Sequence, residues 1–77
     1  MFKKAKYIIF ENNAFIFPEH IDHCGFTLSQ GIKRSDVQGA GFVVLEDGNI
    51  YCYGRSISLG IKSREEDNII IRTMTGQ

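Results

Sequence analysis

Seventy-seven residues with 43% hydrophobic and 12% aromatic side chains make one domain and exclude a disordered chain. A domain this short buries only about 60% of the surface its unfolded form exposes, so self-association is the expected source of further burial. Nine Lys and Arg residues cancel nine Asp and Glu residues, which excludes the net positive field that general nucleic-acid binding requires.

The N-terminus has a basic start, but its apolar run, Tyr7 to Phe10, is too short for a signal-peptide core or a membrane span. A cytoplasmic location with no membrane partner is therefore expected, with Cys24 and Cys52 as free thiols. Lys6 to Phe10 and Ala14 to Phe17 read as a hairpin around Glu11-Asn12-Asn13, whose asparagines tolerate the left-handed backbone of a tight turn. Pro18 ends the second strand, and its fixed φ suits the first turn of a helix starting near Glu19. Ile21, Cys24, Phe26 and Leu28 fit neither period cleanly and Gly25 weakens a helix, so one or two short helical turns are predicted, then an irregular loop from Gln30 to Gln38.

Phe42 to Glu46 and Asn49 to Tyr53 flank Asp47-Gly48, the strongest hairpin signal in the chain. Beyond them Arg55, Ile57 and Leu59 alternate with Ser56 and Ser58, which predicts a strand continuing to a bend at Gly60. Ser63 followed three residues later by Glu66 predicts a capping box. Glu65, Glu66 and Asp67 then lie in a first helical turn, where the dipole favours carboxylates, and Ile70, Ile71 and Met74 form the buried stripe. The β-branched Ile69-Ile70-Ile71 also fits a fifth strand, but the capping signal favours a helix. The fold class is α+β: an antiparallel sheet of about four strands from two hairpins, a short helical turn between them, and a C-terminal helix on one face.

Polar chemistry is densest from Gly54 to Asp67. Arg55, Lys62 and Arg64 supply positive charge, Ser56, Ser58 and Ser63 supply hydroxyl donors, and a helix start supplies amides, which together suit a phosphate or carboxylate. Tyr53, on the same strand face as Tyr51, is placed to stack on a base. The bland reading is a capped helix with a solvated charged face, and the tyrosines as core or subunit contact. Neither phosphate-loop fingerprint occurs. His20, His23 and Cys24 have His-x-x-His spacing but no diagnostic third and fourth ligands, so no metal is assigned, and the histidines are expected at the surface or at an oligomer contact. Without a nucleophile elbow or an isolated carboxylate, an enzyme is not expected, and no cofactor is assigned. Phe10, Phe15, Phe17 and Phe42 are read as core.

Phe17-Pro18 with its following His, Ala40-Gly41-Phe42-Val43, and Cys52 to Gly60 running into Lys62-Ser63-Arg64-Glu65-Glu66-Asp67 resemble a group of short proteins encoded by bacteriophages and prophages. The resemblance covers most of the length and implies an origin more than an activity. Position 65, Glu here, often looks like Pro in that group, which would suit a first helical turn. A phage accessory protein would counter a host defence in one of two ways. It would bind a small anionic ligand such as a nucleotide signal as a homo-oligomeric sponge, or it would cover a host protein through its sheet edge or its Glu19 to Gln38 region.

Overall fold

Two-residue turns build both hairpins of the computed structural model, which describes residues 4–75. β1 (Lys4–Phe10) and β2 (Asn13–Phe17) meet at Glu11 and Asn12, whose φ values of 52° and 60° are both left-handed. Asn12 takes the left-handed conformation expected of the asparagines and Glu11 takes it as well, while Asn13 opens β2 by pairing with Phe10. β3 (Val37–Glu46) and β4 (Asn49–Tyr53) meet at Asp47 and Gly48, with φ of 52° and 80°. Such paired left-handed residues match the twist of the strands they join. The sheet is antiparallel throughout in the order β2-β1-β3-β4.

The helix after Pro18 starts later than predicted. Pro18 instead accepts a turn bond from the Ile21 amide at 3.1 Å, and α1 (His23–Gln30) begins behind Asp22, whose carboxylate caps the Gly25 amide. Gly31, at φ 70°, ends it in the left-handed conformation, with its amide on Leu28 O and the Ile32 amide on Thr27 O. The predicted loop to Gln38 holds only a 3-10 turn at Arg34–Asp36, because β3 starts at Val37, five residues before the expected Phe42.

Alternation along the strands gives the sheet two buried faces. Tyr7, Ile9, Val43 and Ile50 pack under Ile71 of α2 (Glu65–Thr75), the C-terminal helix, while Ile8, Phe17, Ala40 and Leu59 pack under α1 and the segment after β4. Each buried Ile, Val, Leu and Phe among them contributes about 1.5–3 kcal/mol. Phe17 is buried as expected, Phe10 and Phe15 are partly so, and the ring of Phe42 lies half-open under the Lys4 ammonium. Met74 is 53% exposed and leaves the buried stripe, its sulfur instead accepting the Ala14 amide of edge strand β2. The other edge is closed as well: Asn68 Oδ1 accepts the Cys52 amide at 2.8 Å and Arg72 Nε donates to Ile50 O at 3.0 Å. Cys24 and Cys52 are free and belong to opposite faces. Among the described residues no helix is long and apolar enough to cross a membrane.

Candidate functional site

The Gly54 to Asp67 run divides into a hairpin and a helix start. Gly54, at φ 77°, breaks β4, so the predicted continuous strand does not form. β5 (Arg55–Ser56) pairs instead with β6 (Ile61–Lys62), and the Ser63 amide closes the ribbon on Gly54 O at 3.0 Å. Ser56 and Ile61 face inward while Arg55 and Lys62 stand directly opposite one another on the exposed side.

The expected alternation fails between Ser56 and Leu59 because those residues form a turn. Ser56 is 1% exposed; its Oγ accepts the Leu59 amide at 3.1 Å and its carbonyl accepts the Gly60 amide at 2.8 Å. Leu59 is buried, Ile57 is 89% exposed, and Gly60 supplies a φ of 70°. Arg34 Nε donates to Leu59 O, and Ser58 Oγ accepts the Cys24 amide at 3.2 Å, so the turn is fastened to α1 and the 3-10 turn. Arg55, Ser56, Ile57 and Lys62 line a shallow depression of about 420 Å³. Among the described residues, neither Arg55 nor Lys62 makes an ion pair.

At the helix start the capping partner is one residue later than predicted. α2 begins at Glu65, so Arg64 occupies the cap position and Asp67, not Glu66, reaches back to the Arg64 amide at 3.0 Å; Ser63 lies outside the helix. Asp67 is completely buried. Its Oδ2 also accepts the Tyr7 hydroxyl at 2.6 Å, and its Oδ1 accepts Arg64 Nε at 2.9 Å. Arg64 Nη2 lies 2.8 Å from Oδ1 as an ion pair, but off the N–H direction, so this buried nitrogen has no hydrogen-bond acceptor. Arg64 Nη1 sits 3.5 Å from Glu66. Burial, then the bond to Asp67, raises the Tyr7 phenol above its ordinary pKa. Burial pushes the neighbouring Cys52 thiol up to about 11.

The structure therefore brings together Arg55, Ser56 and Lys62 and removes the other sequence-predicted ligands from the depression. Arg64 is committed to Asp67, Ser58 anchors α1, and Ser63 closes the ribbon. Tyr53 stacks on Phe42 with ring centroids 5.8 Å apart and does not line the depression. His23, expected at the surface or at an oligomer contact, is buried. It donates through Nε2 to Gly41 O at 2.9 Å with its ring nearly perpendicular to those of Phe17 and Phe42, and burial lowers its pKa. Among the described residues no three His, Cys, Asp or Glu side chains come together around a metal position.

Sequence reasoning missed the buried Asp67. Its signal lay in Gly39, because a glycine inside a strand marks a close approach, as Gly41 does toward Tyr53. A Cβ at position 39 would stand 2.9 Å from the Asp67 carboxyl carbon, and one at position 41 would stand 2.5 Å from Tyr53 O. Fold and site thus define a small α+β domain carrying an anchored, cation-bearing hairpin. No protein-family model, curated protein or solved structure matches this chain.

Proposed function

We propose that the protein is a non-catalytic accessory binding protein that captures a small anionic ligand, of the phosphate-bearing nucleotide class, on the outer side of the β5–β6 hairpin. The observation that carries this reading is the Arg55–Lys62 pair, like charges directly opposite on a two-stranded ribbon with no acid between them. Like charges in that position repel, and an anion relieves the repulsion. The Arg55 fork engages two oxygens and Lys62 acts as a point charge. Ser56, Ser58 and Arg64 hold the platform rather than the ligand. The resemblance to short phage proteins supports an accessory, nucleotide-sequestering role in a host cytoplasm, with homo-oligomerisation as part of the same reading.

Thermal shift with inorganic pyrophosphate, mononucleotides and cyclic dinucleotides tests it. Saturation at about 100 times Kd adds about 2.7 kcal/mol, a rise on the order of 10–20 °C in a domain this size. Arg55→Ala and Lys62→Ala each abolish the rise while keeping the unliganded Tm; a flat response to every anion overturns the reading.

One observation favours a protein-binding inhibitor of a host factor as a second reading. Leu28 is 75% exposed at the lip of a groove of about 440 Å³ between α1 and the Ser58-Leu59 turn. This reading predicts stoichiometric co-purification of one host protein that Leu28→Asp abolishes.

A further inference from the structure

The exposed turn of the hairpin has a counterpart elsewhere on the same chain. Ile57 is the most exposed large apolar side chain among the described residues, and it projects from a turn flanked by Arg55 and Lys62. Between β4 and α2 lies a concavity of about 790 Å³ whose walls carry Tyr51, Ile69, Glu65 and Glu66. Tyr51 and Ile69 are 44% and 66% exposed, with the Arg72 guanidinium 5.6 Å from the Tyr51 ring centroid. We propose that the β5–β6 turn of one copy docks into the β4–α2 concavity of a second copy, Ile57 against Tyr51 and Ile69, with Arg55 and Lys62 facing Glu65 and Glu66.

Three observations select a second copy as the occupant. The concavity carries Glu65 and Glu66 against one cation, Arg72, so its net charge is opposite to that of the turn and encounter is steered. The turn is already held by Ser56, Leu59 and Arg34, so docking orders little that is not ordered beforehand. The strand edge at the concavity already has its Cys52 amide and Ile50 carbonyl satisfied by Asn68 and Arg72, which disfavours an added strand and leaves side-chain insertion. Because the two surfaces are different patches, the contact is heterologous and propagates head to tail unless it closes into a ring.

The contact uses the cations assigned above to an anion, so the two events exclude each other, and the homo-oligomer of the anion reading would form through a different surface; this consequence rests on the anion reading, whereas the contact itself does not.

Sedimentation velocity across a concentration series, at low ionic strength in phosphate-free buffer, tests the contact. Wild-type protein grows in mass with concentration. Ile57→Gln, the pair Arg55→Glu with Lys62→Glu, and the pair Glu65→Arg with Glu66→Arg each weaken association more than about tenfold. Mixing the two charge-reversed proteins, each monomeric alone, restores assembly, which a folding defect would not do. A wild-type chain that stays monomeric to its solubility limit overturns the proposal, as does association that Ile57→Gln leaves unchanged or a charge-reversed mixture that stays monomeric. Inorganic pyrophosphate, at ionic strength matched with chloride, is expected to shift wild type to monomer. Assembly that passes the mixing test but ignores pyrophosphate upholds the contact and counts against the anion reading.

Discussion

Arg55 to Lys62 and Ser63 to Asp67 adjoin in the chain and each carry arginine and serine, yet they direct their charge oppositely. In the second stretch Arg64 turns onto a buried carboxylate that also receives the Tyr7 hydroxyl and the Arg64 amide. In the first, Arg55 and Lys62 face solvent across a two-residue ladder, and among the described residues no carboxylate is paired to either. The difference lies in what the sheet offers beneath each stretch. Gly39 leaves the space that Asp67 fills, whereas the hairpin presents Ser56 and Ile61 to the core and has no inward position left for charge. Local density of polar residues therefore says little about a site until the backbone has divided them between core and solvent.

Removing the inward charge should have the largest effect. Asp67→Ala leaves Tyr7 Oη, the Arg64 amide and the guanidinium without their acceptor, and a broken buried pair costs about 3–5 kcal/mol. Urea unfolding should show that loss as a lower midpoint. Gly39→Ala, which drives a methyl into the same carboxylate, should lower it by about 1–3 kcal/mol. If Asp67→Ala unfolded at the wild-type midpoint, the contrast between the two stretches would collapse.

Both hairpins and the C-terminal helix were legible because their signals are local. Asp47-Gly48 and the Asn-bearing turn need only their own dihedral preferences, and the acidic run at Glu65 needs only the helix dipole. The first half of β3 was not legible, since Gln38-Gly39-Ala40-Gly41 has loop composition and becomes a strand only because β1 pairs with it. The capping register slipped by one for a similar reason: Asp67 is chosen over Glu66 by Tyr7, sixty positions away. Within the site, Arg55 and Lys62 were read as ligand-binding cations and are exposed, whereas Ser56, Ser58 and Arg64, given to the same ligand, already make hydrogen bonds within the fold.

A pH titration sharpens the contrast on the inward side. Burial, followed by the charge of Asp67, raises the Cys52 thiol from 9.0 to about 11, and Tyr7 is raised as well. Above pH 9.0 the unfolded chain therefore loses protons that the folded chain keeps. The stability from this layer is complete below that pH and declines as pH rises through about 11. Urea midpoints measured across this window should fall steadily, and Cys52→Ala should flatten the first part of the decline. A wild-type profile without slope there would contradict the burial of this layer.

The smallest expected effect tests the outward side. Lys62→Glu converts the Arg55–Lys62 repulsion into an attraction at the same cross-strand position. Exposed pairs in this geometry are worth a fraction of a kcal/mol, so the variant should gain about 0.5 kcal/mol in urea unfolding, with the gain reduced by salt. It should also lose any response to pyrophosphate. Stabilisation with loss of anion binding is the pattern of a charge pair kept for recognition at a small expense in stability. A variant less stable than wild type would mean that Lys62 makes a favourable contact within the fold, and Arg55–Lys62 would then belong with Arg64–Asp67 as scaffold.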